Sequence, residues 1–249
     1  GWVMQKFFKG KERGSTQLPW LSSYHSFSFN RYFGPQNMGF GPLRVLNEDH
    51  VAPGGRFDTH GHQDMQIISL VTYGSMHHQD SSGHGLLLEA GDYQLMNAGS
   101  GITHSEANAS HQEPLGFMQL WVLPRHRGGL PDYQYRRFED SAPLQLVASG
   151  APDAQAFLLD QDIHVWQLRL SAGGELHHPL QDKWLRRIQV IDGELQVGQQ
   201  VLTSGDGFIP DPLSDIEYQA QRNSLALVFD VPENLLQGTS YQGKPNEPH

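Results

Sequence analysis

Two short histidine motifs in this sequence could bind a metal ion. His60-Gly61-His62 carries two imidazoles at positions i and i+2, and His104-Ser105-Glu106 carries an imidazole and a carboxylate at the same spacing. Residues two apart in a β-strand project from one face, so each pair points in a single direction. Two such pairs on neighbouring strands would bring four ligands to one barrel wall. Three imidazoles and a carboxylate suit a divalent first-row metal such as Fe, Mn, Ni, Co, Cu or Zn.

The remaining histidines are predicted to be structural or exposed. The chain has 14 histidines, so chance pairs are expected. His77-His78 and His177-His178 are adjacent pairs whose members face opposite sides of a strand, and both pairs are predicted at the surface. Asp80 is predicted to be a turn or surface carboxylate.

The elements that must position these motifs are short strands. Frequent Gly (27) and Pro (15) separate segments rich in β-branched and aromatic residues. The clearest of these segments are residues 65–73, 116–123, 163–170, 184–191 and 225–231. The best helix candidate, residues 152–159, is short, so the sequence predicts an all-β chain.

An internal repeat divides the chain. Aligning Gly54-Gly55 with Gly173-Gly174 also aligns Gly74 with Gly193, because both gaps are 19 residues. The predicted division is an N-terminal domain with the metal site over residues 1–139, a C-terminal domain over 140–237 and a loose polar tail over 238–249.

The second copy of the repeat lacks the candidate ligands. Pro179 and Gln181 stand where the first copy has His60 and His62. The positions that match His104 and Glu106 fall near Tyr218 and Ala220. The C-terminal domain is therefore predicted to hold no metal.

Composition excludes several classes of function. The 249 residues carry 27 acidic and 17 basic side chains, a net charge of −10, which argues against direct nucleic-acid binding. No apolar run approaches the ~20 residues of a membrane span, so no membrane association is expected. Cysteine is absent, which excludes disulfides and thiolate ligands and favours a cytoplasmic location.

The stretch from residue 60 to residue 106 resembles the pirin family of the cupin superfamily. The family pattern reads like H-P-H, then H-x-D-S-x-G, a Gly-Asp turn, and M-x-A-G-x-G-I-x-H-S-E. Matching residues here are His60, His62, His78-Gln79-Asp80-Ser81, Gly91-Asp92, Met96, Ala98-Gly99, Gly101-Ile102 and His104-Ser105-Glu106. Gly61 replaces the usual Pro, and Gln66 replaces a Glu that serves many other cupins as a ligand.

The resemblance implies a bicupin, with two antiparallel jelly-roll-like β-barrels packed in tandem. It implies one metal per chain, Fe(II) before Mn, Ni, Co, Cu or Zn, held by His60, His62, His104 and Glu106. The implied activity is a quercetin 2,3-dioxygenase type of oxidation, in which a flavonol and O2 are the substrates and Glu106 is the catalytic base. The alternative is a metal-bearing regulatory protein that binds a partner protein. A monomer is expected in either case.

Overall fold

The described residues of the computed structural model are 5–27, 39–138 and 142–236, and they fold almost entirely into β-strands. Two 3-10 turns, Gly10–Glu12 and Glu233–Leu235, are their only helical segments. No helix in these ranges is long and apolar enough to cross a membrane. The short helix candidate at residues 152–159 does not form a helix, in agreement with the predicted all-β chain. The Asp153 carboxylate accepts hydrogen bonds from the backbone N–H groups of Gln155 and Ala156, which closes a turn instead.

The chain forms two compact units. One unit contains residues 14–138, and the other contains residues 142–236 together with residues 5–13. The second unit takes its first strand, β1 (Lys6–Phe8), from the start of the chain, which the predicted boundary at residue 139 assigns to the first domain.

Eleven strands among the described residues build the first unit. They are β2 (Gly14–Leu18), β3 (Leu21–His25), β4 (Leu43–Val51), β5 (Arg56–His62), β6 (Gln66–Tyr73), β7 (Ser75–Asp80), β8 (Gly85–Glu89), β9 (Asp92–Asn97), β10 (Ile102–Asn108), β11 (Leu115–Val122) and β12 (Asp132–Arg137). A seven-stranded sheet has the order β12-β9-β6-β11-β4-β3-β2, and a four-stranded sheet has the order β5-β10-β7-β8. All pairings within these two sheets are antiparallel.

The second unit repeats this plan. Its further strands are β13 (Leu144–Ser149), β14 (Phe157–Leu158), β15 (His164–Leu170), β16 (Glu175–His177), β17 (Trp184–Asp192), β18 (Glu194–Val197), β19 (Gln200–Thr203), β20 (Gly207–Ile209), β21 (Glu217–Ala220) and β22 (Ser224–Pro232). The seven-stranded sheet has the order β1-β20-β17-β22-β15-β13-β14, and the four-stranded sheet has the order β16-β21-β18-β19.

Apolar side chains from both sheets of a unit meet in its core. In the first unit, Phe57 and Met76 of the small sheet pack with Val71 and Phe117 of the large sheet. In the second unit, Leu195 packs with residues of the large sheet in the same way. Each unit is therefore a sandwich of a seven-stranded and a four-stranded sheet, and the predicted all-β class is confirmed.

Candidate metal centre

Neighbouring strands of the small sheet carry the predicted ligands. Strands β5 and β10 are antiparallel, and their register sets His60 opposite His104. Beyond that pair the register shifts, because Glu106 lies opposite Phe57 and β5 contains one extra residue. Such a β-bulge bends a strand and redirects its side chains, and bulges are frequent beside functional sites.

The three imidazoles converge on one point. His62 Nε2 lies 2.9 Å from His104 Nε2, and the His60 ring centroid lies 4.5 Å from that of His104 and 4.9 Å from that of His62. Two nitrogens bound to one ion at a right angle, each about 2.1 Å from it, would lie about 3.0 Å apart. The spacing of the three rings therefore fits a divalent metal ion.

The surroundings of His60 and His62 favour the neutral imidazole, which is the form that binds a metal. Burial lowers the pKa of His60, and burial with the charge of His60 lowers the pKa of His62 to about 3. His60 Nδ1 lies 2.6 Å from the carbonyl oxygen of Asp58 and donates to it. This hydrogen bond fixes the tautomer of His60 and leaves its Nε2 as the ligand atom.

Glu106 lies beside the three imidazoles, on the other side of His104. Its Oε1 is 4.0 Å from His104 Nδ1, whereas His104 Nε2 faces His62. The ligand atoms of His60, His62 and His104 form one group within 4.8 Å, and Glu106 forms a second such group with His104 and His78. The structure thus brings three predicted ligands together and places the carboxylate next to them.

Burial dominates the electrostatics of Glu106. Burial and the nearby charge of Asp49 raise its pKa to about 7, although hydrogen bonds from Gln119 and Gln94 oppose the shift. A carboxyl group that titrates near neutral pH can both accept and release a proton under cellular conditions. This property suits the catalytic role that the sequence predicts for Glu106.

His78 is a site residue that the sequence analysis placed wrongly at the surface. Its side chain is fully buried on β7, where Glu106 of β10 lies opposite it. His78 Nε2 lies 2.8 Å from Asp80 Oδ2, and the Asp80 side chain is also buried. A histidine that donates to a carboxylate through one nitrogen presents the other as an acceptor, as metal-binding histidines do. The signal was the i, i+2 spacing of His78 and Asp80, the same spacing that identified the other pairs.

A glycine turn sets the start of β10. Gly99 has a φ of +52°, and a Cβ there would lie 2.7 Å from the carbonyl oxygen of Gly129. Only glycine fits such a close, left-handed position without strain. The backbone N–H of Ser100 donates to Gly129, and the N–H of Asp64 donates to Gly99. The bond from Asp64 ties the turn to the segment that follows His62 and so helps to align the two ligand strands.

The second unit places different side chains at the corresponding positions. Tyr218, opposite Val197 and Leu176, takes the position that Glu106 has between His78 and Phe57. The sequence alignment, which matched Tyr218 with His104, was therefore two residues out of register. His178, also predicted at the surface, is buried, and its Nδ1 lies 2.8 Å from the Tyr218 hydroxyl. The buried Arg186 donates to His178 and to Asp230. Within the described part of this unit, no three His, Asp or Glu side chains gather as a metal site would require.

Comparison with known proteins agrees with this architecture. The Pirin family profile matches residues 8–122, and the profile of the quercetinase C-terminal cupin domain matches residues 146–231. The quercetin 2,3-dioxygenase of Escherichia coli strain K12 is 37% identical over 226 residues, which cover 90% of this chain and 97% of the relative.

Solved structures give the same result. The bacterial pirin YhhW from Escherichia coli, in complex with nickel(II), superposes with a TM-score of 0.87 at 36% identity, covering 92% of this chain and 99% of that one. A quercetin 2,3-dioxygenase structure from Acinetobacter baumannii shares the fold at 20% identity, with a TM-score of 0.71 and coverage of 98% and 92%. With full-length matches in sequence and structure, this chain belongs to the pirin family.

Proposed function

We propose that this protein is a metal-dependent dioxygenase that cleaves a flavonol such as quercetin with O2. The observation that carries the proposal is the convergence of three imidazoles, those of His60 and His62 with pKa values lowered by burial, beside a buried carboxylate whose pKa is raised to about 7. A relative that is 37% identical carries the name quercetin 2,3-dioxygenase, and the C-terminal match is to a quercetinase domain. Of the four proposed ligands, His62 lines an open groove of about 440 Å3 together with Gln63 and Thr103, and this volume would admit one planar aromatic molecule.

Each residue of the centre has a distinct role in the proposal. His60, His62 and His104 hold the metal, and Glu106 completes the ligand set. When bound, the divalent metal supplies Lewis acidity, which lowers the pKa of a hydroxyl group beside it. Glu106 takes the proton of that hydroxyl as the general base. Trp121, whose ring centroid lies 5.1 Å from that of His62, packs against the ligand cluster and excludes water from one side.

The donor set supports a divalent metal, and we propose Fe(II) as the resident ion. Three imidazole nitrogens and one carboxylate oxygen are borderline ligands that Fe(II) accepts, and Mn, Ni, Co, Cu and Zn would fit the same donors. The crystal structure of the related YhhW is a nickel(II) complex. Elemental analysis of protein purified without added metal tests the assignment. Iron as the major metal supports it, and another metal at full occupancy overturns it.

Aerobic turnover tests the function. Metal-loaded protein with quercetin should consume one O2 for each carbon monoxide released. His62→Ala should abolish both signals, whereas His177→Ala, at an exposed histidine of the second unit, should leave them unchanged. If protein loaded in turn with each candidate metal consumes no O2 with any flavonol, the enzyme assignment fails. The metal-bearing regulatory protein with a protein partner would then be favoured.

Two further expectations belong to this proposal, a monomeric state and a cytoplasmic location. Light scattering at micromolar concentration and cell fractionation test them independently of turnover.

A further inference from the structure

A row of polar side chains crosses the large sheet of the first unit and faces Glu106. The register places Gln94 opposite Ser69, Ser69 opposite Gln119, and Gln119 opposite Asn47, on four adjacent strands. All four are buried. Buried polar groups require partners, and two of these amides find theirs in Glu106. We call Gln94 and Gln119 the amide pair.

The amide pair holds both oxygens of the carboxylate. Gln94 Nε2 donates to Glu106 Oε2 at 2.9 Å, and Gln119 Nε2 donates to Oε1 at 3.2 Å. A carboxylate with one donor on each oxygen has a fixed plane, and each oxygen keeps lone pairs for a further partner.

A second donor locks each amide in this orientation. Trp121 Nε1 donates to Gln119 Oε1 at 3.0 Å, and the Tyr133 hydroxyl donates to Gln94 Oε1 at 2.6 Å. The indole N–H is only a donor, so the oxygen of Gln119 must face Trp121 and its NH2 group must face Glu106. Burial, with the carboxylates of Glu106 and Asp80 nearby, raises the pKa of Tyr133, so its hydroxyl stays protonated.

We propose that the amide pair positions Glu106 toward the metal, and that Tyr133 and Trp121 are positioning residues that act on Glu106 through these amides. The inference deepens the proposed function and rests on it. It predicts that Tyr133, which lies on the edge strand β12 and is not itself a metal ligand, controls metal affinity. The pathway has three members, Tyr133, Gln94 and Glu106, and each step is a hydrogen bond between buried or half-buried groups.

A double-mutant cycle with Co2+ tests the proposal in the full chain. Gln94→Met should weaken Co2+ binding by about 10-fold, as loss of a hydrogen-bond partner to a ligand commonly does. Tyr133→Phe removes only the hydroxyl and should weaken binding less. Because Tyr133 acts through Gln94, the double variant should bind within about twofold of Gln94→Met alone. The visible spectrum of bound Co2+, which reports ligand geometry, should shift in all three variants.

Tyr135→Phe is the matched control. It makes the same chemical change two residues along β12, where the hydroxyl donates to Asp92 instead of the site. This control should leave Co2+ affinity and spectrum unchanged. Unchanged affinity in folded Tyr133→Phe, or effects that multiply in the double variant, would overturn the proposal. If the wild type does not turn over quercetin, the proposed function fails, but the Co2+ cycle still decides this inference.

Discussion

The two units share one fold but place polar side chains on different rows of their large sheets. In the repeat alignment Ser69 corresponds to Ile188. The strand pairing in each sheet then identifies the corresponding residues on the neighbouring strands. In the first unit this row consists of Gln94, Ser69, Gln119 and Asn47. The corresponding residues of the second unit are Phe208, Ile188, Val228 and Trp166. On the small sheet, Tyr218 of the second unit occupies the position that Glu106 has in the first unit. An amide row that holds a carboxylate has thus become part of an apolar core.

The neighbouring row shows the opposite exchange. Ile67 and Trp121 in the first unit correspond to Arg186 and Asp230 in the second, and the Arg186 guanidinium makes two hydrogen bonds of 2.7 Å to Asp230. Arg186 is a fixed buried cation, which would repel a metal ion held nearby. The second unit thus carries a buried positive charge on its own side chain, whereas the first unit gathers three imidazoles whose spacing fits a divalent ion.

The largest predicted effect comes from breaking this built-in ion pair. Arg186→Met leaves Asp230 as an uncompensated buried charge, so the free energy of unfolding should fall by about 3–5 kcal/mol in urea denaturation. Arg56→Met breaks an exposed pair with Asp58 and should cost less than about 1 kcal/mol. Equal costs for the two variants would show that Arg186 does not anchor the second unit.

Replacing one residue of the polar row by its apolar counterpart from the second unit should have a smaller effect on stability. Gln119→Val installs the residue type of the second unit and removes a donor from Glu106 and an acceptor from Trp121. Leaving buried groups unpaired should lower the free energy of unfolding by about 1–3 kcal/mol. Gln219→Val, at an exposed strand position, should stay within about 0.5 kcal/mol of wild type. A neutral Gln119→Val would mean that the polar row is dispensable.

Proton release on metal binding separates the roles of imidazole and carboxylate. In the folded protein the pKa of His62 is about 3 and that of Glu106 about 7, so near pH 6 the imidazole is neutral and the carboxyl group is largely protonated. Metal binding at that pH should release close to one proton, so the affinity should weaken by up to about 1.4 kcal/mol for each pH unit below 7. The release should fall to about half a proton near pH 7 and become small above about pH 8, where Glu106 is already ionised.

Calorimetry in buffers of different ionisation enthalpy measures this release. Glu106→Gln should release almost none near pH 6. Release of two or three protons from wild type would instead assign them to the imidazoles.

The smallest predicted effect concerns the backbone between two ligands. A Cβ on Gly61 would meet Ile102 and Thr103 only at 3.8 Å, and its φ lies outside the left-handed region. Gly61→Ala should therefore stabilise the protein by about 0.4–1 kcal/mol through the unfolded state. Gly74→Ala is the contrast, because its φ is +78° and its Cβ would lie 2.3 Å from the Pro114 carbonyl oxygen. Thermal melts of both variants should move in opposite directions, and a destabilised Gly61→Ala would show that this strand requires glycine.

The sequence predicted what depends on local spacing. The i, i+2 rule identified His60 with His62 and His104 with Glu106, and the glycine repeat identified two β domains. The same rule would have found His78 with Asp80, but adjacency to His77 suggested an exposed pair.

Features set by pairing between distant strands could not be read from the sequence. The amide pair depends on the register of β9 and β11 with β6, and neither glutamine lies in a motif that indicates a carboxylate partner. Strand β1 pairs with β20, about 200 residues later, and no local pattern indicates such a contact.

The central claim is that the first unit alone supplies the metal centre. The most direct test is the metal content of three proteins loaded in parallel and freed of excess ion, namely wild type, His62→Ala and His178→Ala. The account predicts one equivalent in the wild type, almost none in His62→Ala and one equivalent in His178→Ala. Two equivalents in the wild type, or a full equivalent retained by His62→Ala and lost from His178→Ala, would contradict it.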